Sequence, residues 1–318
     1  MMTAIRKFAA GVLGAVLLAA VAQRAQAQAP PIPVTVLTSP VDSAAEIYIG
    51  KDLGVFAKHG LDVTIEPGTN GSAIAAAVAG NAVDIGYSDL VTLAKGYLKG
   101  IPFVAIAPAA IWTSAAPVAG LVVLTNSPIT SAKDLTGKVV AVPGLGTLAE
   151  YSPRAWIDQN GGDSTTVKFT EMPYPTMPAA LTAGRIDVAY ISEPFLALVK
   201  KDVRILGYSH NAIAKQFLQS AWFTTPQWAK DHPDAVRRFA DAMRETAIWA
   251  NQKVNQPKSA EILAKYTKID IATIAVMERA RFGETLTAAS IQPAIDVTAK
   301  YGKFEPFPAD RLVYHADR

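Results

Sequence analysis

The chain has 318 residues, half of them hydrophobic and 18% charged, with 30 Lys and Arg against 27 Asp and Glu and no cysteine. The absence of cysteine excludes disulfides, thiolate metal sites, a cysteine nucleophile and a lipid-modified N-terminal cysteine. The length allows one large domain or two ordinary ones, and a chain of this size buries enough surface to need no covalent staples.

The first element is a secretory signal peptide over residues 1–27. Arg6 and Lys7 precede a charge-free apolar run from Phe8 to Ala22, and Ala25-Gln26-Ala27 supplies a small-x-small cleavage site after Ala27. The run is too short to cross a bilayer as a helix. Arg6, Lys7 and Arg24 carry the whole formal charge of +3, so export leaves 27 basic against 27 acidic side chains. The basic surplus that would point to nucleic acid or to an anionic membrane goes with it.

Beyond the Pro-rich Pro30 to Pro33, short β-branched runs alternate with Ala-rich helical segments, the pattern of a parallel sheet covered by helices. Strands are expected near 34–37, 62–66, 83–87 and 103–107, and again near 138–142, 167–172, 188–191 and 203–207. The apolar stretch from Phe103 to Val123 is broken by Pro108, Pro117 and Gly120, and reads as strand, loop and strand. From Gln227 onward the pattern is helical, with Val236, Phe239, Ala240, Met243, Ala247 and Ile248 on one face.

The two strand series read as copies of one unit. Gly80-Asn-Ala-Val-Asp-Ile-Gly-Tyr-Ser88 stands against Gly184-Arg-Ile-Asp-Val-Ala-Tyr-Ile-Ser192. In each, a glycine suits the left-handed end of a helix, an Asp opens a buried strand, and an acid (Asp89, Glu193) begins the next helix. Two α/β halves of this kind make a cleft at the carboxyl ends of their strands.

The loops at those ends hold the candidate ligand-binding residues: Ser39, Asp42, Asn70, Gly71, Ser72, Ser88, Gly146, Thr147, Tyr174 and Glu193, with Trp112 beside them. Gly144-Leu145-Gly146-Thr147, between a strand and a helix, is either an anion-binding loop or a plain tight turn. Thr69-Asn70-Gly71-Ser72 either reaches a ligand or only caps a helix. Asp42, Asp89 and Glu193 either cap helices or, facing the cleft, bind a ligand's amine or amidine. Trp112, Tyr174 and Trp222 are aromatic-wall candidates, Tyr174 above all because Pro173 and Pro175 keep it on a loop. The four histidines show no metal spacing, His59 reads as a surface residue, and no nucleophile elbow is present. No catalytic residue, cofactor or metal is expected. None of the named loops carries an arginine.

These residues resemble the family of periplasmic binding proteins for nitrate, sulfonates, taurine and the thiamine pyrimidine precursor. The resemblance runs through Ala45 to Val63, Gly80 to Ser88, Asp134-Leu-Thr-Gly-Lys138 and Ser192-Glu-Pro-Phe195. It implies an α/β, two-lobed type II periplasmic binding protein fold, each lobe a mostly parallel sheet covered by helices. It implies the divisions 28–120 (first lobe, first part), 121–222 (second lobe) and 223–318 (return to the first lobe). The implied activity is capture of a small organic anion or zwitterion by lobe closure, without enzymatic turnover. The implied partners are a small-molecule ligand and a membrane-embedded ABC permease, with no nucleic acid and a monomeric chain. A periplasmic enzyme or a sensory receptor on the same fold, or a binder of a neutral aromatic or pyrimidine ligand, is the alternative.

Overall fold

The computed structural model describes residues 30–316, so the signal-peptide reading of residues 1–27 lies outside the described residues. The eight expected strands form. They are β1 (Ile32–Thr38), β2 (Leu61–Pro67), β3 (Ile85–Asp89), β4 (Val104–Pro108), β7 (Val139–Val142), β8 (Lys168–Glu171), β9 (Val188–Ser192) and β10 (Val203–Gly207). Between the two sets lie β5 (Ala110–Thr113) and β6 (Ala119–Leu124), followed later by β11 (Gln216–Leu218), β12 (Ser220–Thr224) and β13 (Arg281–Phe282). The Phe103 to Val123 stretch is therefore three strands rather than two. No described helix is long and apolar enough to cross a membrane.

Two five-stranded sheets share one plan. The first has the order β2-β1-β3-β12-β4 and the second β8-β7-β9-β6-β10. In each, four strands point the same way and the fourth position holds an antiparallel strand: β12 in the first, β6 in the second. The two halves thus exchange one strand each, and these strands carry the chain between them.

The aspartates that open β3 and β9 explain why the registers match. Asp84 accepts from the Thr35 N–H at 2.7 Å and returns its own N–H to the Thr35 carbonyl. Asp187 accepts from the Val139 N–H at 2.8 Å and returns its N–H to the Val139 carbonyl. Each pair closes the end of a parallel ladder that would otherwise leave a backbone donor unpaired. Alignment on these aspartates makes Tyr87 equivalent to Tyr190, three residues on, and shifts the expected match of Ser88 with Ser192 by one position. The helix-end glycines also differ. Gly184 has φ +66°, but Gly80 is right-handed and Asn81 takes the left-handed position at φ +56°.

Helix Pro233–Ala250 buries Val236, Phe239, Met243 and Ala247 as its pattern requires, whereas Ile248 is exposed. Phe239 stacks on Phe56 and meets Trp222 edge-on. Helix Ala288–Gly302 packs on helix Leu90–Leu98 of the first half and on helix Leu148–Gln159 of the second. A small third sheet, β11-β5-β13, lies beside them.

Candidate functional site

A cavity of about 460 Å³ opens where the carboxyl ends of six parallel strands converge, three from each large sheet. The loops after β1, β2, β7 and β8 and the last residues of β3 and β9 form most of its wall. This is the position that parallel α/β sheets reserve for ligands, because helix N-termini and irregular backbone meet there.

Its body is aromatic. Tyr87 and Tyr190, the equivalent positions in the two halves, both line it, together with Tyr174, Phe195 and His210. Tyr174 stacks on Phe195 with ring centroids 5.4 Å apart, and Tyr190 stacks on His210 at 5.6 Å. His210 is held between Tyr190, Trp112 and Phe217. Its Nδ1 lies 3.0 Å from Ser152 Oγ, its Nε2 3.3 Å from the Tyr190 hydroxyl, and burial pushes its pKa down to about 3. The ring is neutral at any physiological pH and acts as a rigid polar wall.

Hydroxyl, amide and backbone groups surround this body. Asn70 caps helix Gly71–Ala79 by accepting from the Ala73 N–H at 2.9 Å. The first N–H groups of that helix lack intrahelical partners. Beside them stands Ser88, fully buried, with a hydroxyl that has no protein partner and a place in the cavity wall. A buried hydroxyl next to a helix start can donate to an acceptor group supplied by a ligand. No lysine or arginine lines the cavity among the described residues, whereas Asp89 and Glu171 do.

The loop Gly144 to Thr147 is already occupied by the protein's own carboxylates. The Leu145 N–H goes to Glu171 at 3.2 Å, the Gly146 N–H to Glu150 at 2.5 Å and the Leu148 N–H to Asp89 at 3.0 Å. Asp89 also caps helix Leu90–Leu98 through Thr92, at 2.9 Å from the Thr92 N–H and 2.7 Å from its hydroxyl. Burial raises the Asp89 pKa, while Thr92, Leu148 and Lys95 pull it back down. Further bonds join the halves at the cavity rim. Lys95 Nζ donates to the Gly146 carbonyl at 2.8 Å, Asn70 donates to Glu171 at 3.4 Å, and the Asp42 N–H donates to the Glu193 carbonyl at 3.1 Å.

Of the residues expected to bind, Ser39, Asn70, Gly71, Ser88, Thr147 and Tyr174 line the cavity, and five lie elsewhere. Asp42 is fully buried and paired with Arg279 Nε at 2.9 Å and with the Ala280 N–H, so its carboxylate is spent on a C-terminal segment. Glu193 turns back to accept from the Ala197 N–H at 2.9 Å, capping the helix that follows it. Trp112 sits behind the wall, fully buried, donating to Asn211 at 3.0 Å. Ser72 and Gly146 line a separate, smaller depression beside Lys95. Gly146 has φ +69°, and a Cβ there would run into Lys95 Nζ. Trp222 is buried in β12, donating to Glu46, whose other oxygen has no partner and whose pKa burial raises well above normal. His59 pairs with Glu245 at 2.9 Å, outside the cavity.

Sequence reasoning passed over Tyr87, Tyr190, His210, Phe195 and Glu171. The first two had a legible signal, a tyrosine three residues after the strand-opening aspartate in both copies. His210 had none, since its neighbours come from β5, β9 and β11.

Two α/β halves that exchange a strand and close on a cavity at their strand ends define the type II periplasmic binding protein fold. The sequence profile of the NMT1/THI5-like family matches residues 42–260, and the chain belongs to that family. The taurine-binding periplasmic protein of Escherichia coli is 28% identical over 77% of this chain and 77% of its own. A putative binding protein of Brucella abortus is 25% identical over 76% of this chain and 73% of its own. The alkanesulfonate-binding protein SsuA of Xanthomonas axonopodis, solved with MOPS bound, superposes with a TM-score of 0.74 at 14% identity, covering 90% of this chain and 99% of that one. That last likeness is one of fold.

Proposed function

We propose that this protein is the periplasmic substrate-binding component of an ABC transporter, closing its two lobes on a small organic solute and passing it to a membrane-embedded permease. The observation that carries the reading is the cavity itself, walled by strand ends of both sheets and closed at its rim by side chains that reach from one half to the other. The family and the names of the relatives support the transport role.

The reading takes residues 1–27 as a signal peptide cleaved after Ala27. It takes 28–120 and 223–318 as the first lobe and 121–222 as the second, and the chain as a monomer that binds no nucleic acid. The two exchanged strands support the division. The solute carries an acceptor oxygen, of a carboxylate, sulfonate or carbonyl, that meets the start of helix Gly71–Ala79 and the Ser88 hydroxyl. Its apolar body lies against Tyr174, Tyr190 and Tyr87. The protein binds the solute without turning it over.

The test is a thermal-shift screen of mature protein, stripped of copurified ligand by unfolding and refolding, against sulfonates, taurine, nitrate, aromatic carboxylates and pyrimidines. A ligand at a hundredfold excess over its Kd adds about 2.7 kcal/mol of stability. Recovery of the added compound unchanged and loss of its uptake in cells lacking the protein complete the expected result. Product formation would replace the transport reading with an enzymatic one, and intact uptake would replace it with a sensory one. N-terminal sequencing of the periplasmic protein is expected to begin at Gln28.

A further inference from the structure

Behind the cavity wall, the second half carries a line of buried hydrogen-bonding side chains that ends on one of the tyrosines of the cavity. Ser209 Oγ lies 3.0 Å from Ser152 Oγ, Ser152 Oγ 3.0 Å from His210 Nδ1, and His210 Nε2 3.3 Å from the Tyr190 hydroxyl. Ser209, Ser152 and His210 are at most 1% exposed. Ser209 and Ser152 stand outside the cavity lining, whereas His210 and Tyr190 belong to it. The buried hydroxyls of Thr246 and Thr298 donate to the carbonyls four residues back, Ala242 and Ala294, the common use of a hydroxyl inside a helix. Ser152, inside helix Leu148–Gln159, bonds Ser209 and His210 instead.

Each hydroxyl has one proton, and a neutral imidazole has one N–H and one bare nitrogen, so the line can run in two directions. In the first, Tyr190 donates to Nε2, Nδ1–H donates to Ser152, and Ser152 donates to Ser209. The Ser209 proton is then left in the core with no acceptor among the described residues. In the second, Ser209 donates to Ser152, Ser152 to Nδ1, and Nε2–H to the Tyr190 oxygen. The Tyr190 proton is then left to the cavity, where water or a solute accepts it. A buried donor without a partner is costly, and the second direction avoids one. Burial keeps the ring neutral, so no second ring proton disturbs this count.

We propose that Ser209, Ser152 and His210 are positioning residues that fix the second direction and make Tyr190 a hydrogen-bond donor to the solute. The proposal rests on the solute-binding reading of the cavity and gives the Tyr190 hydroxyl a part beside that of its ring. The equivalent tyrosine of the first half is used differently. Tyr87 donates to Ser43 at 2.8 Å, so its proton stays within the wall. The Tyr190 hydroxyl is free and is the stronger donor because its oxygen receives the Nε2–H. With the unpartnered Ser88 hydroxyl on the first half, each half brings one side-chain donor to the solute. A solute with acceptor oxygens or nitrogens toward both halves bridges them.

The experiment reads the direction of the relay by NMR in mature protein stripped of solute, with the histidine ring nitrogens and tyrosine Cζ isotope-labelled. Loss of one signal in His210→Asn and of another in Tyr190→Phe assigns the two resonances. The wild type is expected to show His210 protonated at Nε2 and bare at Nδ1. Ser209→Ala removes the proton that sets the direction, and leaves Ser152 free to donate to the Leu148 carbonyl and to accept from Nδ1. That variant is expected to shift His210 toward the Nδ1–H tautomer and to move the Tyr190 Cζ signal with it. Ser209→Cys, whose thiol is a weak donor, takes its place if the alanine variant does not fold. A wild type protonated at Nδ1 overturns the proposal. So does a folded Ser209 variant in which both signals stay where they are. Failure of the solute-binding reading would appear as a ligand screen without binders and leave these spectra unchanged, so the two failures are told apart.

Discussion

Gly71 is the residue on which the donor side of the site turns. A Cβ at this position would stand 2.5 Å from Ser88 Oγ, closer than real side chains approach, and 3.1 Å from Asp89 Oδ2, a tight contact. Gly71→Ala is expected to displace the Ser88 hydroxyl and weaken the copurified solute by at least about tenfold, or 1.4 kcal/mol, in a calorimetric titration. The melting temperature should change little, because alanine is the better helix former. Unchanged affinity would remove the start of helix Gly71–Ala79 from the site. That this loop belongs to the wall was legible from its place after a strand and before a helix. Asp42 shows what was not legible. Its loop was placed correctly, but its partner Arg279 lies 237 residues away in the chain, and no local pattern announces which acid in a loop will be claimed by a distant cation.

Among elements, the short helix Phe195–Val199 and its capping acid couple stability to pH. Burial pushes the Glu193 pKa from 4.5 up to about 7, with Asp42 and Glu278 adding to the rise and the Ala197 N–H and Lys200 opposing it. The folded protein therefore holds a proton that the unfolded chain releases above about pH 4.5. This contribution to stability is complete below that value and is lost as pH rises through about 7. A raise of this size corresponds to about 3 kcal/mol, at roughly 1.4 kcal/mol for each pH unit. Urea midpoints of the wild type should fall between pH 4.5 and 7.5. Glu193→Gln, whose amide oxygen still accepts from the Ala197 N–H, should flatten that fall, and an identical slope in the variant would assign the dependence to another group. The elements themselves were largely legible because β-branched runs between Ala-rich segments have only one economical packing. What escaped was β5, four residues hidden in a continuous apolar stretch, the later strands β11, β12 and β13, and the one-residue offset between the repeats. Periodicity marks where a strand lies, whereas the offset is set by the Asp84 and Asp187 ladders, which need the third dimension.

At the scale of the whole molecule, the rim bonds join the two halves directly across the cavity mouth. Lys95 is the cationic member of that set, reaching from helix Leu90–Leu98 to the Gly146 carbonyl, with its ammonium 5.6 Å from the Tyr151 ring centroid. Met in its place keeps an apolar stem of similar length and removes the donor. Closure then loses one charge-assisted hydrogen bond, a loss of about 1.5–3 kcal/mol when such a bond is well shielded and less where water competes. If the solute is bound by the closed form, its apparent Kd rises as the closed fraction falls. Lys95→Met should therefore show a larger radius of gyration than the wild type in small-angle scattering without solute, and return to the wild-type value when solute saturates it. Its affinity should be lower by the factor that the unliganded closed fraction has dropped. Equal radii with weaker binding would mean that Lys95 shapes the pocket rather than the closure. Equal radii with equal binding would leave the rim to Asp89, Asn70 and Asp42, whose bonds to Leu148, Glu171 and Glu193 span the same gap.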